Sequence, residues 1–295
     1  MVMQKRQIAL VAVFGGVAIF LIKLAAYFVS NSVALLSDAL ESIVNILASL
    51  LMLFSVWVSA KPPDDSHNYG HQKIEDLSSM LEGIFIIIAA LLIINTGVGR
   101  LFSGTLPIEI DFAIGISMVA TAMNGGISWY LSRAAKKCGS AAFEGDAKHL
   151  LSDVISTVGV WIGLFIIGLT GWSIIDPIMA FIVAALIIKM GLGLVLKACS
   201  RLMDNSCREE EAKIREVLLR HQYRFIDFHD MKTRRNGNLV FCELHLSVDG
   251  SLSVTEAHDL TDHLENELKD ELPTANLTIH VEPKNQAQSK GNRQK

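Results

Sequence analysis

The sequence has few cysteines and little charge for its length. Its four cysteines, Cys138, Cys199, Cys207 and Cys242, form no Cys-x-x-Cys pair, which argues against a disulfide framework and against a thiolate zinc site. Charged residues make up 19% of the chain, against about 25% in an ordinary soluble domain. Residues 208–295 contain 13 Lys/Arg and 16 Asp/Glu, so no excess of basic residues indicates nucleic-acid binding.

Hydrophobic residues are abundant instead, at 51% of the 295 residues, and the mean hydropathy is +0.39. They fall in long runs before about residue 200, and a helix needs about 20 mostly apolar residues to cross a bilayer. We therefore predict a membrane domain over 1–207 with six transmembrane helices. The six predicted spans are residues 8–30, 33–59, 77–99, 110–132, 147–170 and 174–198.

The distribution of lysine and arginine predicts the orientation of these spans. Basic residues precede span 1, follow span 6, and lie between spans 2 and 3 and between spans 4 and 5. The opposite segments 31–32 and 170–173 contain none, and 100–110 contains only Arg100. Because short cytoplasmic loops carry the excess of positive charge, both termini are predicted to be cytoplasmic. We expect a multi-pass protein located in the inner membrane of a bacterium or archaeon.

The C-terminal part reads as a small α/β domain over 208–284. An amphipathic helix with an acidic first turn (207–221) precedes two alternating strands, which Asn-Gly-Asn at 236–238 joins as a hairpin. A second amphipathic helix (253–272) ends at a proline, and one strand follows it. The predicted order is α-β-β-α-β. Residues 285–295 contain Ala287 as their single apolar residue and are predicted to be a disordered tail.

Polar side chains interrupt two of the predicted spans in the same pattern. Glu41 and Asn45 lie four residues apart in span 2, and His149 and Asp153 have the same spacing in span 5. Each pair therefore shares one helical face, and ionisable groups at membrane depth usually serve function. One imidazole and several oxygen ligands suit Zn²⁺, although Fe²⁺, Mn²⁺, Co²⁺ or Cd²⁺ also fit. The alternative is that these groups only form hydrogen bonds between packed helices.

Three further charged residues in the spans are given lesser roles. Asp38 and Asp146 lie one turn nearer the helix N-termini, where they are predicted to line the mouth of a pathway or to cap the helix. Lys23 in span 1 stands alone, and its long side chain can snorkel to the interface or pair with an acid.

The segment between spans 2 and 3 contains a second candidate metal set. Asp64, His67 and His71 combine two histidines four residues apart with an acid three residues before the first. Gly70 and two prolines allow the loop to bend around an ion. The alternative is a solvated polar loop with no ligand.

Four stretches together resemble the cation diffusion facilitators: SVALLSDALESIVN, DDSHNYGHQKIE, EGDAKHLLSDV and the series HDMKTRR, ELHLSV, EAHDL and IHVEP. The resemblance runs from about residue 8 to residue 284. It implies proton-coupled efflux of divalent transition metals by a homodimer, with six spans per subunit and a ferredoxin-like cytoplasmic domain. It also implies a transport site at Glu41, Asn45, His149 and Asp153.

The resemblance implies three further groups of residues. The loop set Asp64, His67 and His71 matches a family metal site, and Lys73 and Asp204 match a pair of charges that interlocks the membrane and cytoplasmic domains. The cytoplasmic metal site corresponds to His229, His245, His258, His280 and Glu282. His221 and His263 match no motif and are interpreted as surface or helix-face residues.

This chain departs from the family pattern in its transport site. Asn45 stands where the family normally has Asp, and Glu41 stands where Asp or His is common. In the cytoplasmic site, Glu282 stands where the family commonly has Asp, which is a milder change. Because Asn45 does not titrate, the site retains three titratable groups, and we predict at most three exchanged protons per metal ion.

Two other classes of function remain open from the sequence. A metal sensor or heterodimer scaffold of the same family, without transport, is the main alternative, and Asn45 is the residue that favours it. A membrane metalloenzyme is disfavoured, because the sequence has no His-Glu-x-x-His motif and the four proposed ligands leave no evident general base. We therefore predict a transporter and not an enzyme.

Overall fold

The computed structural model describes residues 2–30, 33–103, 111–172 and 174–284. The chain divides into two compact units, a helical unit over Met1–Cys199 and a C-terminal unit over Ser200–Lys295. The predicted disordered tail, 285–295, lies outside the described residues. The first unit contains six long helices: α1 (Val2–Ser30), α2 (Val33–Ser59), α3 (Ile74–Ser103), α4 (Asp111–Cys138), α5 (Ala141–Thr170) and α6 (Ile175–Leu202). The last three residues of α6 belong to the second unit.

Five of these helices are long and apolar enough to cross a membrane, and they confirm a helical membrane domain. Their apolar segments are Gln4–Phe28, Ala39–Ser59, Ile74–Gly99, Ala141–Thr170 and Ile175–Leu202. Helix α4 is equally long but carries polar side chains at Ser117, Thr121, Asn124 and Ser128. A span over 110–132 therefore stays a prediction.

Small residues allow the helices to approach one another closely. Gly83 on α3 faces Gly191 on α6, and a side chain at either glycine would lie about 3 Å from the other residue's backbone oxygen. Such small residues are typical of interfaces between membrane helices, where close packing replaces the hydrophobic effect. Around this contact, Ile86 and Ala90 of α3 pack against Ile187 of α6.

A buried carboxylate ties four helices together at the loop end of α3. Glu75 accepts hydrogen bonds from Lys5 Nζ at 3.0 Å, Ser59 Oγ at 2.7 Å and Ser140 Oγ at 2.5 Å. Ser140 is also the N-cap of α5. Apart from the position of Glu75 inside the loop motif, no sequence pattern predicts this network, because the partners of Glu75 come from distant segments.

Replacing Glu75 with Gln is expected to lower the stability of the helical unit by about 2 kcal/mol, since one amide cannot serve three donors that include a lysine. Thermal unfolding of the detergent-solubilised protein measures the effect. The matched control is Glu144→Gln, because Glu144 is more exposed and pairs with Lys148 and Lys197 near the surface. Equal losses for the two variants would contradict the assigned importance of this network.

The C-terminal unit confirms the predicted α-β-β-α-β order. Its elements are α7 (Arg208–Arg220), a short 3₁₀ helix (Gln222–Arg224), β1 (Asp227–Asn236), β2 (Leu239–Val248), α8 (Val254–Glu271) and β3 (Ala275–Pro283). The sheet order is β1-β2-β3, with β1 and β2 antiparallel and β2 and β3 parallel. Gly237, at φ 61°, lies in the predicted hairpin turn, where glycine adopts the left-handed conformation without strain.

The two helices of this unit cover the sheet with an apolar core. Ile214 and Leu218 of α7 and Leu264 of α8 are fully buried together with Leu244 and Leu246 of β2. Ser253 and Glu256 form a capping box that begins α8, as its serine and threonine residues predicted. The strands are therefore held in a fixed register, which decides where their histidines lie.

Candidate metal centres

The predicted transport residues meet where α2 and α5 pack together. Asn45 Nδ2 donates to Asp153 Oδ2 at 2.6 Å, and Asn45 Oδ1 lies 3.1 Å from His149 Nε2. An amide oxygen only accepts hydrogen bonds, so His149 Nε2 carries the proton in this arrangement. His149 Nδ1 is buried and has no hydrogen-bond partner within the described residues. The Asn45 amide thus lies between the imidazole and the carboxylate.

Two cavities adjoin these residues. A cavity of about 580 Å³ is lined by Glu41, Asn45, His149 and Asp153 together with side chains of α3 and α6. A smaller polar chamber of about 60 Å³ is also lined by Glu41, Asn45 and Asp153, and it includes Lys23 and residues of α4. Glu41, Asn45 and Asp153 therefore adjoin both cavities, whereas His149 lines only the larger one.

The two residues predicted at a pathway mouth have different outcomes. The side chain of Asp38 lies outside the described part of the chain. Asp146 is fully buried, and both of its carboxylate oxygens lie 3.1 Å from Ser49 Oγ. Asp146 thus packs inside the bundle and not at an open mouth. The buried Glu82 of α3, which the sequence did not single out, lies against Gly145, directly before Asp146.

The loop residues converge as their spacing predicted. Asp64 Oδ1 lies 3.3 Å from His67 Nδ1, and Asp64 Oδ2 lies 3.3 Å from His71 Nε2. The two imidazole rings are 4.4 Å apart. The backbone N–H of His67 donates to the Asp64 carboxylate at 2.7 Å and lowers the pKa of that carboxyl below its usual value. Gly70, at φ 84°, provides the bend. Two nitrogens and a carboxylate within reach of one point form a candidate metal centre.

Replacing Asp64 with Asn is expected to weaken zinc binding to the loop about 10- to 100-fold, by about the same factor at pH 7 and pH 6. The lowered pKa keeps the carboxylate of Asp64 ionised at both values, so its contribution to zinc binding is the same at both. Zinc titration of the wild type and the variant at both pH values measures the difference. Asp65→Asn, an exposed neighbour, is the control. A loss that disappears at pH 6 would contradict this assignment.

Three histidines form a row across the C-terminal sheet. In the strand register His229 of β1 pairs with His245 of β2, which pairs with His280 of β3. Adjacent rings lie 5.4 Å and 4.7 Å apart. Glu282 is buried below them, with Oε1 3.1 Å from His229 Nε2 and Oε2 3.4 Å from His245 Nδ1. Strand pairing therefore produces a compact set of nitrogen and oxygen ligands.

The unpaired atoms of this row fit a divalent transition metal ion. His229 Nε2 and Glu282 Oε1 are buried and make no hydrogen bond of acceptable geometry within the described residues, although they are 3.1 Å apart. A bound cation would satisfy both atoms. Asp230 forms a second ligand group with His229 and His245, because a bulge between His229 and Lys232, with Asp230 at φ 51°, turns the strand there. Sequence spacing did not reveal Asp230.

His258 is placed differently from the other predicted cytoplasmic ligands. It is exposed on α8, and its Nε2 lies 3.5 Å from Asp262 Oδ2. It shares a groove of about 520 Å³ with Glu282 but belongs to none of the compact ligand groups of the described residues. Its role as a ligand stays a prediction.

The predicted interlocking charges lie in different units. Lys73 directly precedes α3, and Asp204 follows α6 at φ 56°, with Oδ2 3.9 Å from Arg234 Nη1. The pairing of Lys73 with Asp204 stays a prediction.

Comparisons with known proteins define the class. The cation efflux transmembrane domain matches residues 9–203, and the cytoplasmic domain of cation efflux proteins matches residues 208–284. These matches define a multi-pass membrane transporter of metal cations, not an enzyme. The chain belongs to the cation efflux family, the cation diffusion facilitators, as the sequence resemblance implied.

Two similar proteins align with most of this chain, and one solved structure aligns with a quarter of it. An uncharacterized transporter of Synechocystis sp. is 35% identical over 94% of this chain and 90% of its own length. The cation-efflux pump FieF of Shewanella oneidensis is 29% identical over 89% of this chain and 88% of its own length. The metal-bound C-terminal domain of the CzcD transporter from Thermotoga maritima is 34% identical over 25% of this chain and 87% of that chain, with a TM-score of 0.24.

Proposed function

We propose that this protein is a proton-coupled antiporter that exports a divalent transition metal ion, with Zn²⁺ as the first candidate. The observation that supports this best is the hydrogen-bonded series His149–Asn45–Asp153, which lines a cavity together with Glu41. When His149 is protonated on both ring nitrogens, a metal ion that binds Nε2 must displace the proton held there, so metal and proton compete for one site. This competition is the chemical requirement of an antiporter.

The transport cycle follows from this competition. A cytoplasmic metal ion enters the cavity and displaces protons. It then binds His149 and Asp153 in place of their hydrogen bonds to the Asn45 amide. Glu41 and Asp153 supply two negative charges, which balance the charge of M²⁺ beside a neutral His149. After the helices reorient the site, protons from the opposite side reload His149 and a carboxylate and release the metal. The proton gradient thereby drives export.

The same proposal includes the finer organisation of the protein. Helix α4 serves as the sixth span, so that both termini are cytoplasmic in the inner membrane of a bacterium or archaeon. The chain acts as a homodimer through its C-terminal unit, in agreement with the match of residues 208–284 to the family's cytoplasmic domain.

A metal panel tests the substrate. The purified protein in proteoliposomes, with an imposed pH gradient, is expected to transport Zn²⁺ faster than Fe²⁺, Mn²⁺, Co²⁺ or Cd²⁺, and to exclude Mg²⁺ and Ca²⁺. Mg²⁺ and Ca²⁺ are hard cations that prefer all-oxygen coordination, whereas His149 contributes a nitrogen ligand. Transport of Mg²⁺ at the rate of Zn²⁺ would contradict the proposed ligand set.

The histidine row of the C-terminal sheet is proposed to sense cytoplasmic metal. A divalent ion there stabilises the dimer when metal is abundant. This ion has a structural role and is not itself transported. Replacing both His245 and His280 with Ala is expected to shift zinc-dependent stimulation of transport at least about 10-fold to higher zinc, while the rate at saturating zinc stays the same. Zinc-dependent flux in proteoliposomes measures this shift.

His258→Ala is the comparison variant, because His258 lies outside the compact row. It is expected to shift the stimulation less than the double variant does. A double variant that responds to zinc as the wild type does would contradict a sensing role for the row.

The second candidate function is a metal sensor or scaffold of the same family that does not transport. Asn45 is the observation that favours it, because a neutral amide replaces a ligand that usually titrates. Zinc flux of the wild-type protein in proteoliposomes separates the two functions, because a sensor or scaffold transports no metal.

A further inference from the structure

A second pair of histidines meets outside the row described above. His221 ends α7, and His263 lies on α8, with the two rings 5.0 Å apart and nearly perpendicular. Glu267 lies one helical turn after His263 on the same face of α8. Each of the three residues offers a ligand atom within 4.8 Å of the other two. None of them belongs to the transport, loop or row sets.

The hydrogen bonds of His221 orient its ring toward this cluster. Its Nδ1 lies 3.0 Å from the backbone oxygen of Val217. Because a carbonyl oxygen only accepts, Nδ1 carries the proton and Nε2 keeps its lone pair. Metal-binding histidines commonly donate their second ring nitrogen to a backbone carbonyl, which fixes the tautomer and the ring direction.

His263 provides an independent observation. Its Nε2 is buried and has no hydrogen-bond partner within the described residues. A buried polar atom without a partner is costly, so a native structure normally supplies a ligand or water there. The His221 ring cannot satisfy this atom by a hydrogen bond in the edge-to-face arrangement seen here. A metal ion between the two rings would satisfy it.

The charges around the cluster favour a cation. Arg220, the nearest basic residue in sequence, donates to Glu271 on α8. Glu271 therefore compensates the guanidinium, and the carboxylate of Glu267 remains in position for an ion between the histidines.

We propose that His221, His263 and Glu267 form a further metal site for a divalent transition metal ion of the zinc type. Two imidazole nitrogens and one carboxylate oxygen are ligands that Zn²⁺ accepts, with water as the fourth ligand. The ion joins the C-terminal end of α7 to the middle of α8. It is a structural clamp within one C-terminal unit, separate from the row on the sheet.

The test counts the zinc bound per full-length chain in detergent, by equilibrium dialysis against zinc buffers followed by elemental analysis. His263→Ala and Glu267→Gln are each expected to bind one zinc ion fewer per chain than the wild type at saturating zinc in the micromolar range. The double variant is expected to lose no more than His263→Ala alone, because the residues share one ion. Unfolding temperatures in a chelator verify that the variants fold.

Glu265→Gln is the matched control, because Glu265 lies on the same helix and pairs with Lys269. It is expected to bind as much zinc as the wild type. Equal zinc in the wild type and in both Glu267→Gln and His263→Ala would overturn the proposal and leave the ring contact as simple packing. Loss of zinc additive across the double variant would also overturn it, because the residues would then belong to different sites. Neither result depends on transport, so this test is separate from that of the proposed function.

Discussion

Replacing Asp153 with Ala is expected to reduce zinc transport by at least about 10- to 100-fold. Mutation of groups that only orient a metal ligand already costs about 10- to 100-fold, so removal of a direct ligand costs at least as much. The change also removes the acceptor of the Asn45 amide and leaves Glu41 as the only ionised carboxylate among the four proposed ligands. Zinc flux into proteoliposomes under a fixed pH gradient measures the effect.

The control for this prediction is Ser156→Ala. Ser156 lines both cavities beside Asp153, but its hydroxyl donates to the backbone oxygen of Asp153 and not to its carboxylate. It is expected to transport zinc at nearly the wild-type rate. Unchanged zinc flux in the Asp153→Ala variant would contradict the assignment of the transport site to this position. Absence of zinc flux in the wild type itself would favour the sensor or scaffold function.

Replacing Asn45 with Asp is expected to raise the number of protons exchanged per zinc ion by up to one. Asn45 Nδ2 lies 2.6 Å from Asp153 Oδ2, and two carboxylates this close cannot both be ionised without a cation between them. The metal-free variant therefore holds an additional proton in this pair, which zinc must displace. Parallel recording of zinc and pH in the same proteoliposomes gives the ratio.

Asn45→Ser provides the comparison, because serine is polar and does not titrate under these conditions. It is expected to leave the ratio at the wild-type value even if the rate changes. An Asp variant with the same ratio as the wild type would show that position 45 takes no part in proton exchange. A ratio that rises in both variants would point to a change in the bundle and not to the new carboxylate.

The sequence predicted those parts of the structure that depend on periodicity. The four-residue spacing in α2 and α5 placed Asn45 beside both His149 and Asp153, and alternation in the tail predicted its strands. The register then aligned His229 with His245. These features depend on local geometry, which a single sequence expresses directly.

Other parts depend on contacts that a single sequence does not express. The cluster of His221 and His263 requires α7 to end against α8, and neither residue belongs to a motif. Asp230 reaches the histidine row only through a bulge. The buried position of Asp146 depends on Ser49 and on the packing of α3, so spacing alone misplaced it at a mouth.

Simultaneous recording of zinc and proton fluxes in wild-type proteoliposomes tests the central proposal most directly. We expect zinc to move against protons, with at most three protons per zinc ion, because Glu41, His149 and Asp153 are the three titratable groups of the proposed site. Collapse of the pH gradient with a protonophore is expected to stop net zinc accumulation. Zinc accumulation that persists without the gradient, or a ratio above three, would contradict the account.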